Sequence, residues 1–376
     1  MKAAVLRQTG APRPYATSRP IQIEEVELDP PKEGELIVKI AGGGLCHSDL
    51  SVINGDRSRP VPLVLGHEGS GEVVEVGPGV RDMKPGDPVI FQVSASCGRC
   101  VNCLGGRTQL CETHASARAK GHLMGGGSRL RDADGKEIAH QSGVSCFAEY
   151  TVVDRGSAVK VDKDLPLADA AIFGCAVMTG VGAVMNTARI RVGDTVAVVG
   201  LGGVGLNGLL GAKVAGAEKI IAVDISDDKL GLARQLGATH TVNARDPDHI
   251  EQIMDITGGG VDYAFEFSGT VAGTETCYKA LRAGGEVLIA GLAPNGSQFT
   301  FNPADIVNSE KAIRGSYMGS SVPVRDIPRF IELYRQGRLP VDKLINRSIG
   351  FDEINEGFDR LTDGLVIRQI LEPHRA

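Results

Sequence analysis

The chain has no tryptophan, only 4% aromatic residues in all, and no long hydrophobic run. Nowhere do the ~18 uninterrupted apolar residues of a membrane span follow one another, so no transmembrane helix is expected. The opening MKAAVLRQTGAPRPY has a brief apolar patch but no h-region followed by a cleavage site, which points to a cytosolic protein without an export signal. Basic residues are neither in excess nor clustered: 40 Lys and Arg against 46 Asp and Glu leave a net charge of -6. That balance speaks against a nucleic-acid partner or an anionic membrane surface and for a small-molecule partner. No internal repeat or low-complexity segment is present.

At 376 residues and roughly 150 per domain, the chain has room for two or three domains. Glycine, at 50 residues, is about twice its usual ~7% share and falls in clusters such as Gly42-Gly43-Gly44, Gly125-Gly126-Gly127 and Gly258-Gly259-Gly260. Up to about residue 175 the pattern is strand-like and irregular: ELIVKIA from Glu35, EGSGEVVEVG from Glu68, DPVIFQV from Asp87 and FAEYTVV from Phe147, separated by Gly and Pro turns. A long loop from Cys97 to about Gly143 interrupts it.

Beyond Cys175 the texture changes. VMTGVGAVMNTAR predicts a helix. Apolar strands TVAVVG (195–200), KIIAVD (219–224), THTV (239–242), VDYAFEF (261–267), GEVLIAG (285–291) and KAIRGS (311–316) then alternate with segments of helical character around 203–215, 227–236, 247–256 and 271–282. Six short apolar strands joined by crossovers describe an α/β, doubly wound parallel sheet. The last sixty or so residues add two helical stretches, PRFIELYRQG and FDEINEGFDRLTD, and the apolar run GLVIRQIL.

Cys97, Cys100, Cys103 and Cys111 form a C-x2-C-x2-C-x7-C run. Disulfides belong to short secreted chains, so the run reads as four thiolates closing a tetrahedral cage on one structural zinc, which would also staple a loop with little apolar surface of its own. Cys46, His67 and Cys175 lie far apart. Two sulfurs and an imidazole are the ligand types of a zinc site whose fourth position is open for chemistry, but on spacing alone core thiols and a satisfied histidine are the stronger reading.

Gly200-Leu201-Gly202-Gly203-Val204-Gly205 follows a predicted strand and opens a predicted helix, and Asp224 ends the next strand. In that context G-x-G-x-x-G is a dinucleotide fingerprint: Gly202 lets backbone approach a pyrophosphate, the helix N-terminus offers unpaired N–H groups, and Asp224 accepts from the ribose hydroxyls. A carboxylate there repels a 2′-phosphate, which favours NAD over NADP. NAD and an open zinc on one chain imply hydride transfer to or from an alcohol activated by the metal. Two thiolates and a neutral imidazole formally cancel the charge of Zn²⁺, whereas four thiolates leave the other zinc saturated.

The run Gly44-Leu45-Cys46-His47-Ser48-Asp49, the triplet Gly66-His67-Glu68, the four-cysteine loop, the strand-GLGGVG-helix unit and Asp224 together resemble the zinc-dependent medium-chain alcohol dehydrogenases over essentially the whole chain. The resemblance implies two zincs per chain, the catalytic one on Cys46, His67 and Cys175. It implies a Rossmann coenzyme domain (179–319) inserted into a β-rich, GroES-like catalytic domain (1–178, with the structural zinc loop 97–111, and 320–376). It makes Ser48 the hydroxyl that hydrogen-bonds the alcohol and passes its proton towards the coenzyme ribose, has Asp49 orient His67 and sets Glu68 behind the metal. His47 and Arg368 become contacts to the pyrophosphate and Lys229 a ribose contact beside Asp224. Glu68 also reads as an ordinary buried ion-pair carboxylate.

Two departures stand out. Ser51 occupies the position of the histidine that ends the proton relay in many relatives, and Val93 that of an aromatic wall beside the zinc. A smaller residue there implies a wider pocket, suited to aromatic or medium-chain primary alcohols. Oxidation of a thiol adduct, as in the related glutathione-dependent formaldehyde dehydrogenases, and a non-catalytic dinucleotide-binding role are the other readings. The resemblance further implies a homodimer. Cys146, Cys277, His114, His122, His140, His240, His249 and His374 read as packing or surface groups.

Overall fold

The β-branched alternation of ELIVKIA continues through three glycines to form β1 (Glu35–Gly44). It pairs antiparallel with β2 (Glu68–Val76), which pairs with β3 (Pro88–Phe91). β4 (Tyr150–Asp154) lies on the other edge of β1, and the C-terminal strand Arg368–Leu371 joins β1 at Gly43 and Gly44. A computed structural model describes residues 1–375 of the chain. Its two compact units are Met1–Cys175 with Val322–Ile331 and the segment from Asp342 onward, and Ala176–Ser321 with Glu332–Val341.

The first unit is β-rich, with two sheets packed over a core that includes Leu36, Val38, Ile40, Phe91, Phe147 and Phe358. The register of β1 and β2 places two distant residues at one end of the sheet. Gly44 stands opposite Glu68, so Cys46, at the start of α1 (His47–Ile53), and His67, just before β2, emerge side by side. A Cβ at 44 would stand 2.2 Å from Glu68 Oε1 and would displace that carboxylate. The short helix Asp169–Gly174 is tied to this sheet by Ser70 Oγ donating to Leu167 O (2.5 Å), and it delivers Cys175 to the same end.

The long loop after Cys111 is less irregular than its composition suggests. It folds into the helix Glu112–Ala119 and a small hairpin, Leu130–Arg131 with Glu137–His140. Arg129 anchors it by a two-pronged ion pair to Glu35 (Nη2–Oε1 2.6 Å, Nε–Oε2 2.9 Å), with both side chains almost fully buried. Bidentate geometry offsets much of the desolvation cost of such a pair.

In the second unit, α2 (Ala176–Gly182) precedes the expected parallel sheet: β5 (Thr195–Val199), β6 (Lys219–Asp224), β7 (His240–Asn243), β8 (Val261–Glu266), β9 (Leu281–Ile289) and β10 (Ala312–Gly315). Their order across the sheet is β7-β6-β5-β8-β9-β10. The crossovers are α3 (Gly203–Ala215), α4 (Asp227–Leu236), α5 (His249–Thr257) and α6 (Val271–Lys279). This α/β, doubly wound arrangement matches the sequence expectation, and its order reverses between β5 and β8.

Local differences have local causes. The helix read from VMTGVGAVMNTAR passes into a π-helical turn at Ala183–Ala188 and stops at Arg189, whose φ of 58° is left-handed. The segment read as helical to 282 ends at Lys279, because the Ala280 carbonyl already accepts from Val261 N–H at the start of β8. The helix containing PRFIELYR starts earlier, at Pro323, where the Asp326 carboxylate accepts from Val322 N–H (2.8 Å) and closes its N-terminus. Of GLVIRQIL only Arg368–Leu371 is strand; Leu365 is 72% exposed. Among the described residues no helix is long and apolar enough to cross a membrane.

Candidate active site

Cys46, His67 and Cys175 converge. Their donor atoms all lie within 4.8 Å of one another and all three residues are buried, with Cys175 Sγ 3.5 Å from His67 Nε2. The other ring nitrogen, Nδ1, is 2.9 Å from Asp49 Oδ1. With its proton on Nδ1 the imidazole donates to Asp49 and aims the Nε2 lone pair at the sulfurs, the tautomer that a metal ligand requires. Asp49 owes its place to α1, three residues after Cys46.

Burial works against charge on both members of the pair. It raises Asp49 above the usual carboxylate range. It also opposes protonation of His67, yet the Asp49 charge and the Cys46 contact hold that imidazole well above its ordinary value. The two sulfurs share a hydrogen bond: the contact from Cys175, together with the charge of Arg368, holds Cys46 well below the usual thiol range. The same contact and burial push Cys175 up. Two buried sulfurs and an imidazole nitrogen, crowded and mutually unfavourable if both sulfurs ionise, are a donor set that a divalent cation reconciles. The residues fit zinc.

Behind the cluster lies a pairing that sequence reasoning did not find. Arg368, 3% exposed, donates from Nη1 to Leu45 O (3.0 Å) and places Nη2 3.6 Å from Glu68 Oε2. Burial opposes its charge, but Glu68 and the two sulfurs keep the guanidinium above its usual pKa. The sequence offered Glu68 as a buried ion-pair carboxylate but did not name Arg368 as its partner. Their contact spans three hundred residues and arises because the C-terminal strand lies on β1.

On α1, His47 is exposed and Ser48 half-buried. Ser51 Oγ donates to His47 O (2.9 Å). Val93, 4% exposed, sits just beyond β3, and the buried His114 bonds its carbonyl through Nε2 (2.7 Å). His140 is buried, and its Nε2 accepts from Arg129 N–H at 3.4 Å.

The four-cysteine cluster is separate and lies nearer the surface. Cys97, Cys100 and Cys103 are half-buried, Cys111 is buried, and the four sulfurs lie within 4.8 Å of one another. All eight cysteines are free thiols. Thr113 and the Arg99 amide draw Cys97 down to about 6, and Cys97 N–H points at Cys111 Sγ (3.4 Å). Burial and the Cys100 contact push Cys103 up to about 12. This set also fits zinc, with four sulfurs and no open position.

In the second unit the glycine turn has the form a dinucleotide needs. A Cβ on Gly205 would stand 1.8 Å from Gly200 O, which forces glycine there, while one on Gly202 would meet nothing within 4 Å. Gly202 caps α3 without a side-chain hydrogen bond, so the N–H groups of Gly203 and Val204 open the helix toward that space. Asp224, 8% exposed, accepts from Leu201 N–H (2.7 Å) and Ser226 N–H (3.0 Å). The carboxylate thereby ties the end of β6 to the glycine turn. Lys229 is half-buried on α4.

Comparisons agree with this geometry. Residues 203–336 match the model of the zinc-binding dehydrogenase family, and residues 32–163 match the alcohol dehydrogenase GroES-like domain. The chain is 37% identical over 362 residues to the S-(hydroxymethyl)glutathione dehydrogenase of Paracoccus denitrificans, covering 94% of this chain and 96% of that protein. Its fold is similar to an alcohol dehydrogenase zinc-binding domain protein from Burkholderia ambifaria (36% identity, TM-score 0.93, 99% of each chain). It is also similar to the benzyl alcohol dehydrogenase of Acinetobacter calcoaceticus (33% identity, TM-score 0.89, covering 99% of this chain and 98% of that one). With two zinc-competent clusters, a dinucleotide turn and these relatives, the chain belongs to the zinc-dependent, nicotinamide-linked medium-chain alcohol dehydrogenases.

Proposed function

We propose that the protein oxidises a primary alcohol, aromatic or of medium chain length, to its aldehyde with NAD, and reduces the aldehyde in reverse. The observation that carries this is the buried Cys46–His67–Cys175 cluster, preset by Asp49. Zinc held there supplies a Lewis acid that lets an alcohol lose its proton near neutral pH.

The chain's own groups do the rest. Ser48 accepts a hydrogen bond from the substrate hydroxyl and, as that proton arrives, passes its own on towards the coenzyme ribose. Ser51, whose hydroxyl donates to His47 O, stands at the outer end of that path in place of a histidine. Gly202, Gly203, Val204 and the start of α3 hold the pyrophosphate, with His47 and Arg368 adding positive charge. Asp224 accepts from the adenosine ribose, helped by Lys229, and disfavours a 2′-phosphate. Val93 leaves room that an aromatic side chain would fill. The relative named for benzyl alcohol supports the aromatic class. The edge position of β10, whose residues are largely exposed, supports a homodimer, and a net charge of -6 supports small-molecule rather than nucleic-acid or anionic-membrane partners.

The Paracoccus relative supports a second substrate reading: the hydroxyl of an S-hydroxymethyl thiol adduct is chemically an alcohol and needs the same groups. A panel of benzyl alcohol, octanol, ethanol, and formaldehyde with and without glutathione, followed by NADH formation, decides. Turnover of benzyl alcohol or octanol above ethanol without thiol supports the first reading. Turnover confined to formaldehyde plus thiol replaces it with the second.

A further inference from the structure

Glu266 ends β8 opposite Val199 of β5, at the reversal of strand order where doubly wound sheets bind their ligands. It is only 1% exposed. One oxygen, Oε1, accepts from three donors: Ser268 N–H (2.7 Å), Gly269 N–H (2.9 Å) and Ser268 Oγ (2.5 Å). Hydrogen bonds to an ionised carboxylate are about twice as strong as neutral ones, so the turn after β8 is pinned at its base. Glycines close round it: a Cβ on Gly291 would lie 2.3 Å from Oε2, and one on Gly273 2.2 Å from Ser268 Oγ.

The pinned turn is also a wall of the glycine turn. A Cβ on Gly200 would stand 2.5 Å from Ser268 N, and one on Gly208 2.5 Å from the Phe267 ring. Phe267 in turn stacks on Phe265, with centroids 6.0 Å apart. Ser268 Oγ continues to Thr270 Oγ1 (2.8 Å), which caps α6 by accepting from Gly273 N–H (2.9 Å). The two helices flanking the crevice are therefore treated differently: α6 is closed by its own threonine, while α3 stays open to an anion.

We propose that Glu266 is a positioning residue for the dinucleotide: by holding the Phe267–Gly269 turn against Gly200 and Gly208, it fixes the Gly200–Gly205 turn in the shape that accepts a pyrophosphate. The inference rests on the reading of that turn as a coenzyme site. Without the carboxylate charge the wall loosens and the dinucleotide loses affinity, while the zinc cluster, built from other elements, keeps its metal.

Glu266→Gln keeps size and one acceptor but removes the charge, and Ser268→Ala removes a single donor at an exposed position. NADH binding, followed by its own fluorescence, is measured beside zinc content, melting temperature and steady-state kinetics. Glu266→Gln is expected to raise the NADH Kd and the NAD KM roughly tenfold, with two zincs retained and kcat within about twofold. Ser268→Ala is expected to raise both about threefold, and Ser268→Thr, which keeps the hydroxyl, to restore them. A Glu266→Gln protein that melts earlier but binds NADH as the native chain does overturns the proposal. If that variant does not fold, unchanged NADH affinity in Ser268→Ala overturns it alone. A native chain that leaves NADH fluorescence unchanged overturns the coenzyme reading, and this inference with it.

Discussion

The two sulfur clusters of the first unit solve opposite problems. Cys97 to Cys111 lie within fifteen residues of chain, on short turns and a four-residue helix, Val101–Leu104, whose Val101 and Leu104 are 68% and 75% exposed. Little apolar packing holds that lobe, so its shape depends on what the sulfurs bind. Cys46, His67 and Cys175 come from three separate stretches, each fixed by the sheet, and are backed by the buried Asp49 and by Arg368 with Glu68. Their placement rests on the sheet and on these buried partners rather than on a short run of chain. A structural metal site supports its surroundings, whereas a catalytic one is supported by them.

The widest separation comes from removing one sulfur from each cluster. Cys175→Ala should lower kcat/KM by more than about a thousandfold, losing a Lewis acid worth several kcal/mol, while the melting temperature moves by only a few degrees. Cys103→Ala should instead cost about 10 °C or more in melting temperature together with soluble yield. Plasma-emission metal analysis should read two zincs in the native chain and one in each variant. Equal thermal losses in the two variants would erase the distinction.

A smaller effect sharpens it. Asp49→Asn preserves shape but offers the His67 N–H a weaker, uncharged acceptor, so kcat/KM and affinity for the catalytic zinc should fall roughly 10–100-fold while the four-cysteine zinc stays bound. Loss of both metals to a chelator at the same rate would show that Asp49 does not distinguish them.

Val93→Phe tests the proposed substrate pocket. Filling the space should reduce the benzyl alcohol to ethanol ratio of kcat/KM by about tenfold, in the range that a crowded or missing methylene produces; an unchanged ratio removes Val93 from the pocket. The smallest change is expected at His47. An arginine stays charged where histidine loses its proton near neutral pH, so His47→Arg should tighten NADH binding about threefold at pH 8 and, if coenzyme release limits turnover, slow it. Stopped-flow displacement of NADH measures both.

Much of this was legible because the signals are local. The glycine turn, the strand before it and Asp224 lie close together in the chain, and the physics of phosphate approach constrains each of them. The four cysteines are legible for the same reason. The paired work of Arg368 and Glu68 was not, nor the Arg129–Glu35 ion pair that anchors the long loop, nor the hub at Glu266: a lone charged residue in sequence looks the same whether it is solvated or buried against a partner. The π-helical turn at Ala183–Ala188 was equally hidden, since its composition suits an ordinary helix.

What the linear chain decides is therefore chemical identity: which residue types could hold zinc, which turn could accept a pyrophosphate, and the alternation that makes a parallel sheet. Side-chain periodicity and short spacings carry that information without reference to the rest of the molecule. Convergence belongs to the fold. The Gly44–Glu68 register brings Cys46 beside His67, the helix tied to Ser70 brings Cys175, and the C-terminal strand brings Arg368 behind them. These contacts close long loops whose entropy cost is met only when the whole sheet packs, so no local stretch of sequence encodes them.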